Sequence, residues 1–131
     1  MSRILVDSLV VSDEPGFACS KSKLVESGVR HLRPFNISDD GQLDLSEVYQ
    51  VPECEAPAGK IRLEAGDILF NNTNSAELVG KAALVPSSMD AGFSNHLTRI
   101  RMDANCIEPA YFAFWLRRLR GQRFFTEQAT Q

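Results

Sequence analysis

Short apolar runs, broken at intervals by turn-forming residues, fill the first hundred positions of the chain and predict a sheet-rich body. The runs are Ile4 to Val6, Leu9 to Val11, Val29 to Leu32, Lys60 to Leu63, Asp67 to Phe70, Lys81 to Val85 and His96 to Met102. Between them stand Pro15-Gly16, Asp39-Asp40-Gly41, Pro52, Pro57-Ala58-Gly59, Ala65-Gly66-Asp67 and Pro86-Ser87-Ser88. Each of these supplies a fixed φ or tolerates a positive one. In the last run, strand alternation places Leu97, Arg99 and Arg101 on one face and Thr98, Ile100 and Met102 on the other. The two arginines therefore point the same way.

The pattern changes near residue 107. From Pro109, which suits a first helical turn, no further breaker occurs until Gly121, and Phe112, Trp115, Leu116 and Leu119 recur at three- and four-residue spacing. This predicts a helix packed on the sheet, with Arg117, Arg118 and Arg120 near its C-terminus, where the helix dipole favours cations. A second short helix from Gln122 to about Ala129 is expected to contribute Phe124 and Phe125. The fold class is α+β, a single domain with C-terminal helices on a β body.

A chain of 131 residues that is 44% hydrophobic is long enough for one core without staples. Apolar stretches such as Ala82-Ala83-Leu84-Val85 fall far short of the ~18 residues that cross a bilayer, and no membrane partner is expected. The start lacks the basic-then-apolar pattern of a secretory signal, and Cys19, Cys54 and Cys106 are odd in number and widely spaced. A cytoplasmic setting fits, with no metal site, because no Cys or His pair has zinc-ligand spacing. The net charge of −3 argues against a charge-only binder of nucleic acid, yet the charge is unevenly spread. Residues 91–131 hold six Arg against Asp103, Glu108 and Glu127, and Lys21, Lys23, Arg30 and Arg33 face only Glu26 locally. Asp39, Asp40, Asp44, Glu47, Glu53 and Glu55 form an acidic stretch with no cation inside it. One small domain can thus present a phosphate-facing and a phosphate-avoiding side.

Enzyme signatures are missing. The segment Asn74 to Lys81 ends in Gly80-Lys81 but lacks the leading Gly of a phosphate loop and has Ala82 where Ser or Thr is needed. No Gly-x-Gly-x-x-Gly, Gly-x-Ser-x-Gly or His-Glu-x-x-His is present, and no cofactor is expected. His96 beside Asp67 and Cys19 could serve as a base, against the more common role of a hydrogen-bonded structural His. What remains is a density of amides and cations at turns: Arg33-Pro34-Phe35-Asn36, Asn71-Asn72-Thr73-Asn74 and Asn95-His96. Asn can meet adenine, and Arg guanine, with paired hydrogen bonds that discriminate by ~1–3 kcal/mol. Asn after a strand is equally a turn residue.

Several of these segments together resemble a target-recognition domain of the specificity subunit of type I restriction-modification systems. They are Gly28 to Ile37 with Leu32-Arg33-Pro34-Phe35-Asn36-Ile37, Gly41 to Leu45, Leu63 to Ser75 with Gly66-Asp67-Ile68-Leu69, and Leu78 to Val85 with Val79-Gly80-Lys81-Ala82. Phe93 to Arg101 and Glu108 to Leu116, with its Pro109-x-Tyr111 start, complete the series, in the family's order and spacing from Gly28 to Phe125.

The resemblance implies a highly curved mixed sheet and sequence-specific binding to one half of a bipartite DNA target. In that family the domain is non-catalytic: it chooses the site, and a methyltransferase subunit and a restriction subunit do the chemistry. The whole chain, 1–131, is then one recognition domain truncated before the long spacer helix of such subunits, with double-stranded DNA and those subunits as partners and a homodimer left open. The candidate DNA-binding residues are Lys21, Lys23, Arg30, Arg33 and Lys81 for phosphates, Asn36, Asn71, Asn72, Asn74 and His96 for base edges or turns, and Arg99, which with Arg101 is open between DNA or partner contact and pairing with the acidic stretch. The alternative is a protein-interaction or oligomerisation domain that kept the fold and lost DNA.

Overall fold

A computed structural model describes residues 10–72, 81–103 and 108–121. It is an α+β arrangement of two sheets and one long helix. Strands β1 (Val10–Pro15), β4 (Ile68–Asn71), β5 (Ala82–Leu84) and β7 (Leu97–Met102) form a sheet in the order β1-β7-β4-β5, every neighbour antiparallel. Strands β2 (Val29–Leu32), β3 (Tyr49–Val51) and β6 (Gly92–Phe93) form a mixed sheet in the order β3-β2-β6, in which β2 and β6 run parallel. Helix α1 spans Pro109–Gly121.

Alternation along the strands builds two cores. Leu69, Ala83 and Leu97 of the larger sheet meet Leu32 and Phe93 of the smaller one, together with Ile37, Leu63, Val85 and Ala91. Ile68, Ala82 and Met102 point the other way and are covered by Phe112 and Leu116 of α1, with Trp115 packed against them. Strand β4 is therefore apolar on both faces, which explains its unbroken Ile-Leu-Phe run. Phe112 and Leu116 do face the sheet as their spacing predicts.

Strands β2, β4, β5 and β7 stand within a residue of the predicted runs. The Lys60 to Leu63 run is a correction. It forms a turn, with Lys60 N–H bonded to Pro57 O, and touches a sheet partner only through a single bridge between Leu63 and Met89. Pro15 ends β1 instead of separating it from a neighbour, a position an edge strand tolerates because the missing N–H can face outward. Strands β3 and β6 are too short, at three and two residues, to leave a periodic trace in the sequence. Gly92 is required in β6, since a Cβ there would lie 2.5 Å from the Phe17 ring. The expected Ile4 to Val6 strand and the helix from Gln122 lie outside the described residues, as do the side chains of Leu119 and Arg120.

Candidate nucleic-acid interface

Three chain segments meet at the C-terminal end of β2 through backbone hydrogen bonds. Ser94 N–H donates to Leu32 O at 2.8 Å, which lays the turn between β6 and β7 beside the exit of β2. Asn72 N–H donates to His96 O at 2.9 Å, which brings the exit of β4 to the same turn. Gly16 N–H and Phe17 N–H reach Leu97 O and Phe93 O, so the chain leaving β1 joins the group. Arg33, Asn72, Asn95 and His96 thereby share one end of the domain; the last three are exposed.

Arg33 is held in a fixed setting. Its Nη2 donates to Cys19 O at 2.8 Å, its Nε donates to His31 Nδ1 at 3.2 Å, and its guanidinium carbon lies 5.0 Å from the centre of the Tyr49 ring. His31 is buried and bonds Phe17 O through Nε2 at 2.8 Å, so Nε2 carries the proton and Nδ1 is left to accept. Burial pushes the His31 pKa down, the bond to Phe17 opposes this, and the neighbouring Arg33 charge adds to the lowering. Phe35 stands exposed at the edge of Tyr49, with ring centres 5.0 Å apart. Tyr49 pairs with His31 across β2 and β3, and this register places the ring under Arg33.

The remaining cations divide by their partners. Lys60 and Arg99 both reach Glu14, Arg62 reaches Asp90 at 2.8 Å, Lys81 reaches Asp39 at 3.5 Å, and Lys23 reaches Glu55 at 3.2 Å. Arg101 forks onto the buried Asp67, with Nε to Oδ1 at 2.8 Å and Nη2 to Oδ2 at 3.0 Å, and also nears Glu64. These contacts hold the Arg101 pKa above its ordinary value, the hydrogen bond to Asp67 being the main cause. Lys21, Arg30 and Arg33 form no ion pair among the described residues. Lys21 and Arg30 are exposed, and the bond from Arg33 to Cys19 O draws the segment of Lys21 toward β2. Lys21 and Arg33 thus bring unpaired positive charge to the end of β2, Arg30 stands unpaired further back on the strand, and Arg117 and Arg118 are exposed and unpaired among the described residues on α1.

The sequence candidates separate accordingly. Lys21, Arg33, Asn72 and His96 come together on these elements, whereas Arg30 lies earlier on β2, opposite Gln50. Asn72 Nδ2 donates to Thr98 Oγ1 at 2.6 Å, leaving its carbonyl oxygen outward on an exposed residue. Lys23 is close by but paired with Glu55. Asn36 is buried, accepts Arg33 N–H and donates both Nδ2 hydrogens to Asp44 O and Glu47 O, so it organises the turn. Asn71 is buried in β4, where its N–H meets Lys81 O. Lys81 retains 13% side-chain exposure against Asp39. Arg99 faces inward with a side chain 10% exposed, and its Nε has no hydrogen-bond partner among the described residues. Arg99 and Arg101 do share a face, but they pair with Glu14, Glu64 and Asp67 and not with the acidic stretch. Asn74 lies outside the described residues. His31 and Tyr49 were missed: a buried His one residue before Leu32-Arg33 gives no sequence signal that separates it from core.

The acidic stretch divides: Asp44 and Glu47 flank the Asn36 turn and Glu55 pairs with Lys23, whereas Asp39 and Asp40 lie away from β2. Gly41 lies against Ala82 O and the Arg117 stem, so the 38–42 turn packs beside β5 and α1. It borders a cleft of about 460 Å³ lined by Leu43, Leu45, Leu84, Pro86, Ala113 and Phe114, among others. Asp44 is held ionised below its usual range by the Ser46 hydroxyl and backbone N–H.

A His96, Asp67 and Cys19 constellation does not form. Asp67 precedes β4 and is engaged by Arg101 and Glu64 N–H, whereas His96 lies beside Asn72 past the other end of the same strand. Five residues of extended chain separate them, about 16 Å. Among the described residues no group of three or more His, Cys, Asp or Glu could hold a metal ion, and no helix is long and apolar enough to cross a membrane.

Comparison with known proteins bears on this geometry. No protein-family model matches the chain. A type I restriction enzyme MjaX specificity subunit of Methanocaldococcus jannaschii is 32% identical over 90 residues, which is 66% of this chain and 21% of that protein. The HsdS subunit from Thermoanaerobacter tengcongensis has a TM-score of 0.65 at 13% identity, covering 92% of this chain and 27% of that one. A chain from a structure of complex assembly and conformational transition of the type I R-M system gives 0.62 at 13%, covering 94% and 27%. The chain spans about a fifth of the curated relative and about a quarter of each solved chain. In sequence and in fold, it is similar to one part of a type I restriction-modification specificity subunit, as the motifs from Gly28 onward indicate.

Proposed function

We propose that the chain is a sequence-specific DNA-recognition module of a type I restriction-modification system, selecting one half of a bipartite target. Residues 1–131 form one recognition domain, non-catalytic and cytoplasmic, that works in trans with methyltransferase and restriction subunits. The observation that carries this reading is the gathering of uncompensated Lys21 and Arg33 with exposed Asn72 and His96 at one end of the domain, with Arg30 unpaired on the same strand β2, while the other described strand and loop cations meet carboxylates within the fold. Cations without internal partners gain most from phosphates, and amides on turns held by backbone hydrogen bonds are positioned to meet base edges. The similarity to specificity subunits supports the same reading from an independent direction.

Selection from pooled random duplexes tests it. Enrichment of a short motif, with affinity falling as salt rises, is expected. Binding without enrichment at any salt contradicts the proposal. Size measurement of the chain with its cognate methyltransferase subunit tests the partnership, and a mixture that runs as its separate components contradicts it.

A further inference from the structure

We propose that His31 is a positioning residue for DNA binding: it fixes Arg33 toward the nucleic acid by accepting the Arg33 Nε–H at Nδ1, and loses this role on protonation. The inference rests on the DNA-recognition reading above.

Arginine carries much side-chain freedom, and an unsupported one loses that freedom on binding. Here the Nε and Nη2 edge of Arg33 is engaged by His31 Nδ1 and Cys19 O, and the guanidinium plane lies over Tyr49. The engaged edge leaves the terminal amino groups to present two donors outward, the fork that suits a phosphate or a guanine edge. The acceptor exists only because Phe17 O fixes the proton on Nε2. A second proton has one place to go, Nδ1, where it would turn the acceptor into a donor facing the Arg33 N–H and set two positive charges in contact.

The groups that face His31 are few. Phe17 contributes its carbonyl and a ring 4.8 Å away, Gly92 pairs with it on β6, Tyr49 stands opposite on β3, and Arg33 is the charged neighbour. None of these described contacts is a carboxylate that would offset a protonated ring. Acidification therefore releases Arg33. The sign is diagnostic, because a histidine lying against DNA strengthens binding when it gains a proton, whereas His31 weakens it by withdrawing an arginine.

The test measures affinity of the 131-residue chain, and of every variant below, in a His96→Gln background that leaves His31 the one histidine of the sequence, for the selected duplex from pH 7.5 down to the lowest pH at which circular dichroism remains native. This His96→Gln parent is expected to weaken by about tenfold as His31 protonates, the scale of one hydrogen bond to a charged group. His31→Asn keeps an oxygen able to accept from Arg33 and is expected to bind near the parent level at pH 7.5 with a flat profile. His31→Gln keeps a donor toward Phe17 O but loses the acceptor, and is expected to bind weakly at every pH, also with a flat profile. Arg33→Lys, which leaves His31 in place, is expected to flatten the profile too, and supplies the comparison if a His31 variant does not fold. Binding of the His96→Gln parent that is constant or strengthens on acidification overturns the inference, as does an unchanged acid response on adding Arg33→Lys. Absence of any selected duplex at pH 7.5 is a different result: it overturns the DNA-recognition reading itself.

Discussion

Replacing Arg30 by Gln removes one uncompensated charge from β2 at little cost to the fold. Arg30 is exposed, lies opposite Gln50 in the strand ladder and forms no ion pair among the described residues, so its loss should move stability by no more than about 0.5 kcal/mol. Its effect on binding follows from counterion release, in which each phosphate contact contributes about 0.9 to the slope of log affinity against log salt. If Lys21, Arg30 and Arg33 each meet a phosphate, the slope is about −2.7, and affinity falls ~40-fold between 50 and 200 mM salt. Without Arg30 the slope becomes about −1.8 and the fall only ~12-fold. Arg62→Gln is the matched control, because Arg62 is exposed yet already bound to Asp90 at 2.8 Å. Fluorescence anisotropy with one labelled duplex across a salt series reads both slopes. Equal slopes for wild type and Arg30→Gln, or an equal reduction in Arg62→Gln, would refute the division of cations by their internal partners.

Further perturbations probe the scaffold and the site. Asp67→Ala leaves the Arg101 fork without its buried acceptor and should cost about 2–3 kcal/mol by urea denaturation, below the full penalty for a buried pair because Arg101 is partly solvated, with DNA affinity per folded molecule retained. Phe112→Ala empties the contact between α1 and the larger sheet and should cost about 3–5 kcal/mol by the same measurement. Because the His31 pKa is lowered on folding, the unfolded chain takes up its proton first as pH falls below about 6.5; stability is full above that value and declines below it, which thermal melts between pH 7.5 and 5.5 will show. Gly66→Ala meets a φ of +93° in the turn before β4 and should destabilise by about 1 kcal/mol or more, read as a lowered melting temperature.

The sequence was most informative where one residue pattern admits one local solution. The run from Leu97 to Met102 announces a strand with both arginines on one face, and Pro109 with Phe112 and Leu116 announces α1 and its buried stripe. It was silent where the outcome depends on partners distant in the chain. Lys60 to Leu63 has strand-like composition but lacks a neighbour to pair with beyond the Leu63 bridge, while Tyr49–Val51 becomes a strand because β2 offers it an edge. The same limit governs the site. Arg33 and Asn36 stand three residues apart in one polar turn, yet three hydrogen bonds to backbone bury Asn36 in the turn, whereas the guanidinium of Arg33 keeps its outer fork. Local charge pointed to Lys21, Lys23, Arg30 and Arg33, which lie near one another in sequence, but it did not show that Lys23 is taken up by Glu55. It could not reveal that Arg99 would pair with Glu14, a contact made only when β1 and β7 align.

The most direct test of DNA recognition is the affinity of the chain for its best selected duplex divided by its affinity for a scrambled duplex of equal length, at about 150 mM salt. Two or more base-reading contacts at ~1–3 kcal/mol each place the expected ratio at about 100 or higher. A ratio near one, with both duplexes bound, would mean that the cluster at the end of β2 holds phosphate backbone without reading sequence.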